Sequence, residues 1–134
     1  MSTKAPRKAN LRPLGEGLAT LAKTLGPLYR ETTIVVLSEF GRTAHENGNR
    51  GTDHGHGNVM WVMGGRVAGG RVYGQWPGLS TDALYQKRDL AVTTDFRSHL
   101  AAVLTRMGVD DAALAKIFPN QPSAPESISG LIGA

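Results

Sequence analysis

An α/β fold, with a mostly parallel sheet flanked by helices, is what this chain predicts, and two observations carry the expectation. The first is a helical stretch with one apolar face, Leu14, Leu18, Leu21, Leu25 and Leu28, at spacings of 4, 3, 4 and 3. The second is the run Thr33-Ile34-Val35-Val36-Leu37-Ser38 that follows it. An unbroken apolar, β-branched run reads as a strand buried on both faces, as strands of parallel sheets are. Helix followed by buried strand is half of an α/β unit.

The elements follow in order. Gly26-Pro27 ends or kinks the first helix, because proline cannot continue one. Residues 39–74 hold 10 of the 17 glycines and every histidine but His99. Within them Val59–Met63 and Arg71–Tyr73 are expected strands, with Gly64-Gly65 and Gly69-Gly70 framing a turn around Val67. Past a loop at Trp76-Pro77-Gly78 comes a second helix. Thr94 is its expected N-cap, Asp95 favours its first turn, and Phe96, Leu100, Val103, Leu104 and Met107 share a face. Gly108 fits its stop, and a short helix is expected over Asp111–Phe118.

The 134 residues support one domain with a small core. We divide them into a basic disordered arm (1–13), a body (14–118) and a flexible Pro/Ser/Gly-rich tail (119–134). With no Cys, a disulfide scaffold or a thiolate zinc finger is excluded. No run of apolar residues is long enough to span a bilayer. No apolar segment follows the charged N-terminus, so no export signal is read and the chain as encoded is expected in the cytoplasm. The net charge of +4 comes from Lys4, Arg7, Lys8 and Arg12; the remaining 11 basic residues balance 11 acidic ones. A neutral body with no aromatics among the basic residues disfavours nucleic acid as a partner.

Chemistry concentrates in Ser38-Glu39-Phe40-Gly41-Arg42-Thr43 and Gly51-Thr52-Asp53-His54-Gly55-His56-Gly57-Asn58. Glu39 follows the C-terminal end of the expected strand, where ligands bind in open α/β sheets. Glu39, Asp53, His54 and His56 are candidate metal ligands, since carboxylate oxygen and imidazole nitrogen suit zinc, manganese and other divalent ions. Arg42 offers a planar fork for phosphate or sulfate oxygens, and we group Asn58 with it as substrate-binding. The glycines would let the backbone wrap an ion or oxyanion. His45, in a polar loop, and His99, on a helix surface, are set aside.

At these residues the chain resembles the domain of unknown function 1501 family, which is grouped with the alkaline phosphatase and sulfatase superfamily. The match rests on Ser-Glu-Phe-Gly-Arg-Thr (38–43), Gly-Thr-Asp-His-Gly-His-Gly-Asn (51–58), Gly-Gly-Arg-Val-Tyr-Gly (69–74) and Thr-Thr-Asp-Phe-Arg (93–97). The four blocks run in the family order and look like the C-terminal portion of longer members, many of which are exported.

The resemblance implies an alkaline phosphatase-like α/β sandwich with a two-metal site that hydrolyses phosphate or sulfate esters. In one alignment Thr52-Asp53-His54-Gly55-His56 resembles the Thr-Ala-Asp-His-Ala-His signature, so that Asp53 and His54 bind one metal. In the other, which respects strand order, Ser38-Glu39-Phe40-Gly41 takes the place of the strand before an Asp-His-Gly motif. His54 or His56 then matches a later metal-binding histidine. This second alignment puts Phe40, which cannot ligate, where the superfamily has a metal-binding His. The nucleophile and its strands belong to an N-terminal half without counterpart here, so a missing half or self-association is expected and the chain alone is not expected to be active. The alternative is a non-catalytic module that binds a partner or saccharide through the Asp-His-Gly-His loop.

Overall fold

The computed structural model describes residues 8–120 and 130–132. Helix α1 spans Lys8–Leu25, and Gly26, at φ +52°, turns the chain into a 3-10 segment, Gly26–Glu31, opened by Pro27. The helix starts earlier than expected. Residues 8–13, assigned to the arm, form its first turns, with Pro13 inside. The rest of the arm, residues 1–7, lies outside the described residues. The leucine face forms but is poorly covered: Leu14, Leu21 and Leu28 are all exposed.

Four strands follow among the described residues: β1 (Thr33–Val36), β2 (Gly41–Arg42), β3 (His54–Gly55) and β4 (Trp61–Gly64). They form two separate two-stranded sheets, β1 with β4 and β2 with β3. Both pairs are antiparallel, β1 to β4 in the register Thr33↔Gly64 through Val36↔Trp61. The architecture is thus mixed α/β, and the described residues contain no parallel pair. The physical reason is the connection. A parallel neighbour needs a long crossover, usually helical, whereas residues 37–60 leave β1 and return as a hairpin excursion. The expected double-sided burial is not seen either, because every β1 residue is partly exposed.

The β1–β4 ribbon is tied to the 3-10 segment by the Gly65 N–H, which donates to the Tyr29 carbonyl at 3.0 Å. Glycine is required there, since a Cβ on Gly65 would lie 2.3 Å from Arg30 Cα. Glu31 and Arg66 close the same corner with a two-pronged exposed ion pair at 2.9 and 3.1 Å. The second expected strand, Arg71–Tyr73, is irregular. Gly70, at φ +75°, turns the chain before it; among the described residues it joins no sheet, and Tyr73 Oη donates to the Ala68 carbonyl at 2.9 Å.

Helix α2 (Phe96–Arg106) and helix α3 (Asp111–Ile117) pack together near the C-terminal end of the body. The N-cap of α2 is Asp95 rather than Thr94: its carboxylate accepts the Arg97 N–H at 2.9 Å. Gly108, at φ +89°, follows the helix as expected. The buried face matches the expected one only in part. Val103 is buried as expected, together with Ser98 and Ala101, while Phe96 and Met107 are exposed. His99 was expected on the surface, yet its Nδ1 is buried. Asp110 caps α3 by accepting the Ala113 N–H at 2.8 Å.

Buried apolar side chains among the described residues are Leu84, Ala101, Val103, Leu114 and Leu131. Leu131 falls in the expected flexible tail, but Val67 pairs with Ile132 in an isolated antiparallel bridge that fixes this piece. Residues 121–129 and 133–134 of the tail lie outside the described residues. No helix among the described residues is long and apolar enough to cross a membrane.

Candidate functional site

The segment singled out for chemistry is the β2–β3 hairpin, which grows from the Val36↔Trp61 end of the ribbon. Its register pairs Gly41 with Gly55 and Arg42 with His54. Side chains alternate along strands, so one face carries the glycines and the other carries Arg42 and His54 side by side. Asn58 closes the base, its Nδ2 donating to the Phe40 carbonyl at 3.0 Å.

The glycine face is packed backbone on backbone. A Cβ on Gly41 would fall 1.7 Å from the Gly57 carbonyl oxygen, and one on Gly57 would fall 2.5 Å from that of Leu90. The glycines therefore admit neighbouring carbonyls here, not an ion or oxyanion as the sequence suggested. The Leu90 carbonyl accepts the Gly57 N–H at 2.9 Å, and the Arg88 carbonyl accepts that of Ala44 at 3.0 Å. Residues 85–90 thus back both strands. Within that turn Asp89, only 2% exposed, takes a double hydrogen bond from Arg88 at 2.9 and 3.0 Å.

The opposite face holds rings and a cation. The Phe40 and His54 rings lie 4.0 Å apart at 35°, and His56 stacks on Tyr85 at 4.1 Å and 19°. Arg42 Nε donates to Thr52 Oγ1 at 3.1 Å, and its Nη2 donates to the Thr52 carbonyl. Two donors of the guanidinium are committed, which fixes its plane and leaves its remaining N–H groups to solvent or an anion.

The loop between the strands is organised by Asn47. Its Oδ1 accepts the N–H groups of Asn49 and Gly51 at 3.0 and 2.9 Å, and its Nδ2 donates to Asp53 Oδ1 at 2.8 Å. Thr43, buried, exchanges bonds with Asp53: its N–H donates to the Asp53 carbonyl at 3.0 Å and its Oγ1 accepts the Asp53 N–H at 3.1 Å.

The four expected metal donors are not gathered. Each imidazole faces a ring, Asp53 is held by Asn47, and Glu39 accepts a long contact from its neighbour Ser38 at 3.4 Å. Among the described residues no group of three or more His, Cys, Asp or Glu is placed to hold an ion. A divalent cation needs several such donors converging on one point, so this arrangement does not fit one. Arg42 and His54 are cross-strand neighbours, and His56 lies two residues further along the chain. Tyr85, Thr52 and Asn47 were missed. The Asn-Gly-Asn-Arg-Gly run could have signalled the Asn47 turn through the known habit of asparagine to bond backbone two residues on, but nothing local marks Tyr85.

A hairpin with one glycine face and one cation-and-ring face, set between two strands of a ribbon, is the class of site this fold defines. The model of the family described as protein of unknown function (DUF1501) matches residues 2–122, and the chain belongs to that family. No curated protein and no solved structure matches it.

Proposed function

We propose that the chain is the C-terminal portion of an alkaline phosphatase-like sandwich, and that its β2–β3 hairpin supplies the anion-holding part of a phosphate- or sulfate-ester hydrolase. The observation that carries this reading is Arg42, oriented by Thr52 and directly opposite His54. An oriented guanidinium binds tetrahedral oxyanions in a two-pronged fashion and pays little ordering cost on doing so. Family membership and the uncovered apolar side chains Leu14, Leu21, Leu37 and Trp61 support a larger parent fold that would cover them.

In that fold the hairpin would hold the ester oxygens and stabilise charge as it develops on them, while the nucleophile comes from a segment outside this chain. A zinc or manganese ion belongs to the superfamily's chemistry, but the donors as placed here do not fit it. The chain alone therefore binds the anion without turning an ester over.

The test is NMR of the Arg42 Nε–H resonance during titration with inorganic phosphate and then sulfate. A saturable shift that disappears in Arg42→Gln is the expected result, and an unresponsive Arg42 would refute the reading. In the alignment that respects strand order Phe40 takes the place of a superfamily histidine, and this favours a second reading in which the parent protein binds its ligand without catalysis. Turnover of an aryl phosphate or sulfate ester by the chain reunited with an N-terminal half, lost in Arg42→Gln, would decide against that second reading.

A further inference from the structure

We infer that His54 and His56 act as ring braces of the anion-holding hairpin rather than as metal donors, with the His56–Tyr85 stack fixing the hairpin to the 85–90 turn. Each imidazole already has an aromatic partner at 4.0–4.1 Å. The partners are not interchangeable. Phe40 lies at the entry to β2, so the His54 contact ties one strand of the hairpin to the other. Tyr85 belongs to the turn whose Arg88 and Leu90 carbonyls accept from Ala44 and Gly57. The glycine face is therefore fixed by backbone hydrogen bonds, and the His56 stack adds a fixing point carried by side chains. Tyr85 itself is anchored, since it exchanges backbone bonds with Asp89 at 2.8 and 3.0 Å. A brace of this kind needs a flat ring, whereas a metal donor needs a nitrogen lone pair. Phenylalanine keeps the first property and loses the second.

The phosphate arm of the test rests on the anion-binding reading above; the melting arm does not. His56→Phe, His56→Ala, Tyr85→Ala and the double alanine variant are compared in the full chain. Each is melted in EDTA and then in excess zinc, and its phosphate affinity is read at Arg42. His56→Phe is expected to keep the wild-type melting temperature and phosphate affinity. His56→Ala and Tyr85→Ala should each weaken phosphate about tenfold, which corresponds to roughly the strength of one such ring pair. The double variant should lose no more than either single, because both remove the same contact. Zinc should leave every melting temperature in place. Two results would overturn the inference: His56→Phe as damaging as His56→Ala, or a zinc-induced rise in wild type that His56→Phe abolishes. If wild type binds no phosphate, the anion-binding reading fails, and the comparison of His56→Phe with His56→Ala in the melts still decides the brace. Should the alanine variants not fold, the behaviour of His56→Phe with and without zinc decides it.

Discussion

The Leu131 carbonyl accepts the Ala68 backbone N–H at 2.9 Å, and the Leu131 side chain beside it is 4% exposed. A residue from the expected loose tail is thus among the most buried apolar groups of the described chain. Leu131→Ala should cost about 2 kcal/mol or more, the usual range for truncating a buried leucine. Chemical unfolding of the two proteins measures it; equal midpoints would show that the segment contributes nothing.

Asp95 makes acid sensitivity local to α2. The Arg97 side chain, through its hydrogen bonds, holds the Asp95 carboxyl below the ordinary range; burial opposes the shift, and the Arg97 backbone N–H and positive charge add to it. A carboxyl depressed in the folded state stabilises that state above its unfolded pKa of about 3.9. That contribution disappears as pH falls through the lower folded value. Asp95→Asn keeps a capping oxygen but not the charge. It should be less stable than wild type at pH 6, with the gap closing as pH is lowered below about 4. Melting both proteins across that range is the check.

Two glycines separate close packing from chain freedom. At Gly41 an added carbon would collide with the Gly57 carbonyl, so Gly41→Ala should open the hairpin and abolish the Arg42 response to phosphate. At Gly15, inside α1, nothing lies within 4 Å of a Cβ. Gly15→Ala should therefore stabilise the chain by about 0.5–1 kcal/mol, through better helix propensity and a less flexible unfolded state.

Ser98 is fully buried, and its Oγ has no hydrogen-bond partner among the described residues. An unpaired buried hydroxyl costs about 1–3 kcal/mol. Ser98→Ala removes that cost at little loss of volume and is expected to raise the melting temperature. A fall would show that the hydroxyl has a partner in solution.

Elements governed by neighbours in sequence were legible. Gly26-Pro27 ends α1, and the α3 helix starts at Asp111 as its local pattern requires. What needed distant partners was not. An apolar run such as Thr33–Val36 carries no sign of strand direction, so antiparallel pairing with Trp61–Gly64 had to be seen. Leu131 and Tyr85 are buried or stacked by residues far along the chain. The site was readable as a place but not as an arrangement. Its motif shows which groups are near one another, while whether an imidazole meets a ring or an ion depends on contacts that spacing does not encode.

Because Val36 and Trp61 are cross-strand neighbours, everything from Leu37 to Met60 leaves and re-enters the ribbon at almost one point. The functional segment is therefore a cassette. Its length can change at a small closure cost, about 0.6 kcal/mol per doubling, without disturbing the β1–β4 register. An engineer could exchange this hairpin for another that keeps the Ala44 and Gly57 N–H bonds to the 85–90 turn, with the ribbon left in place beneath it.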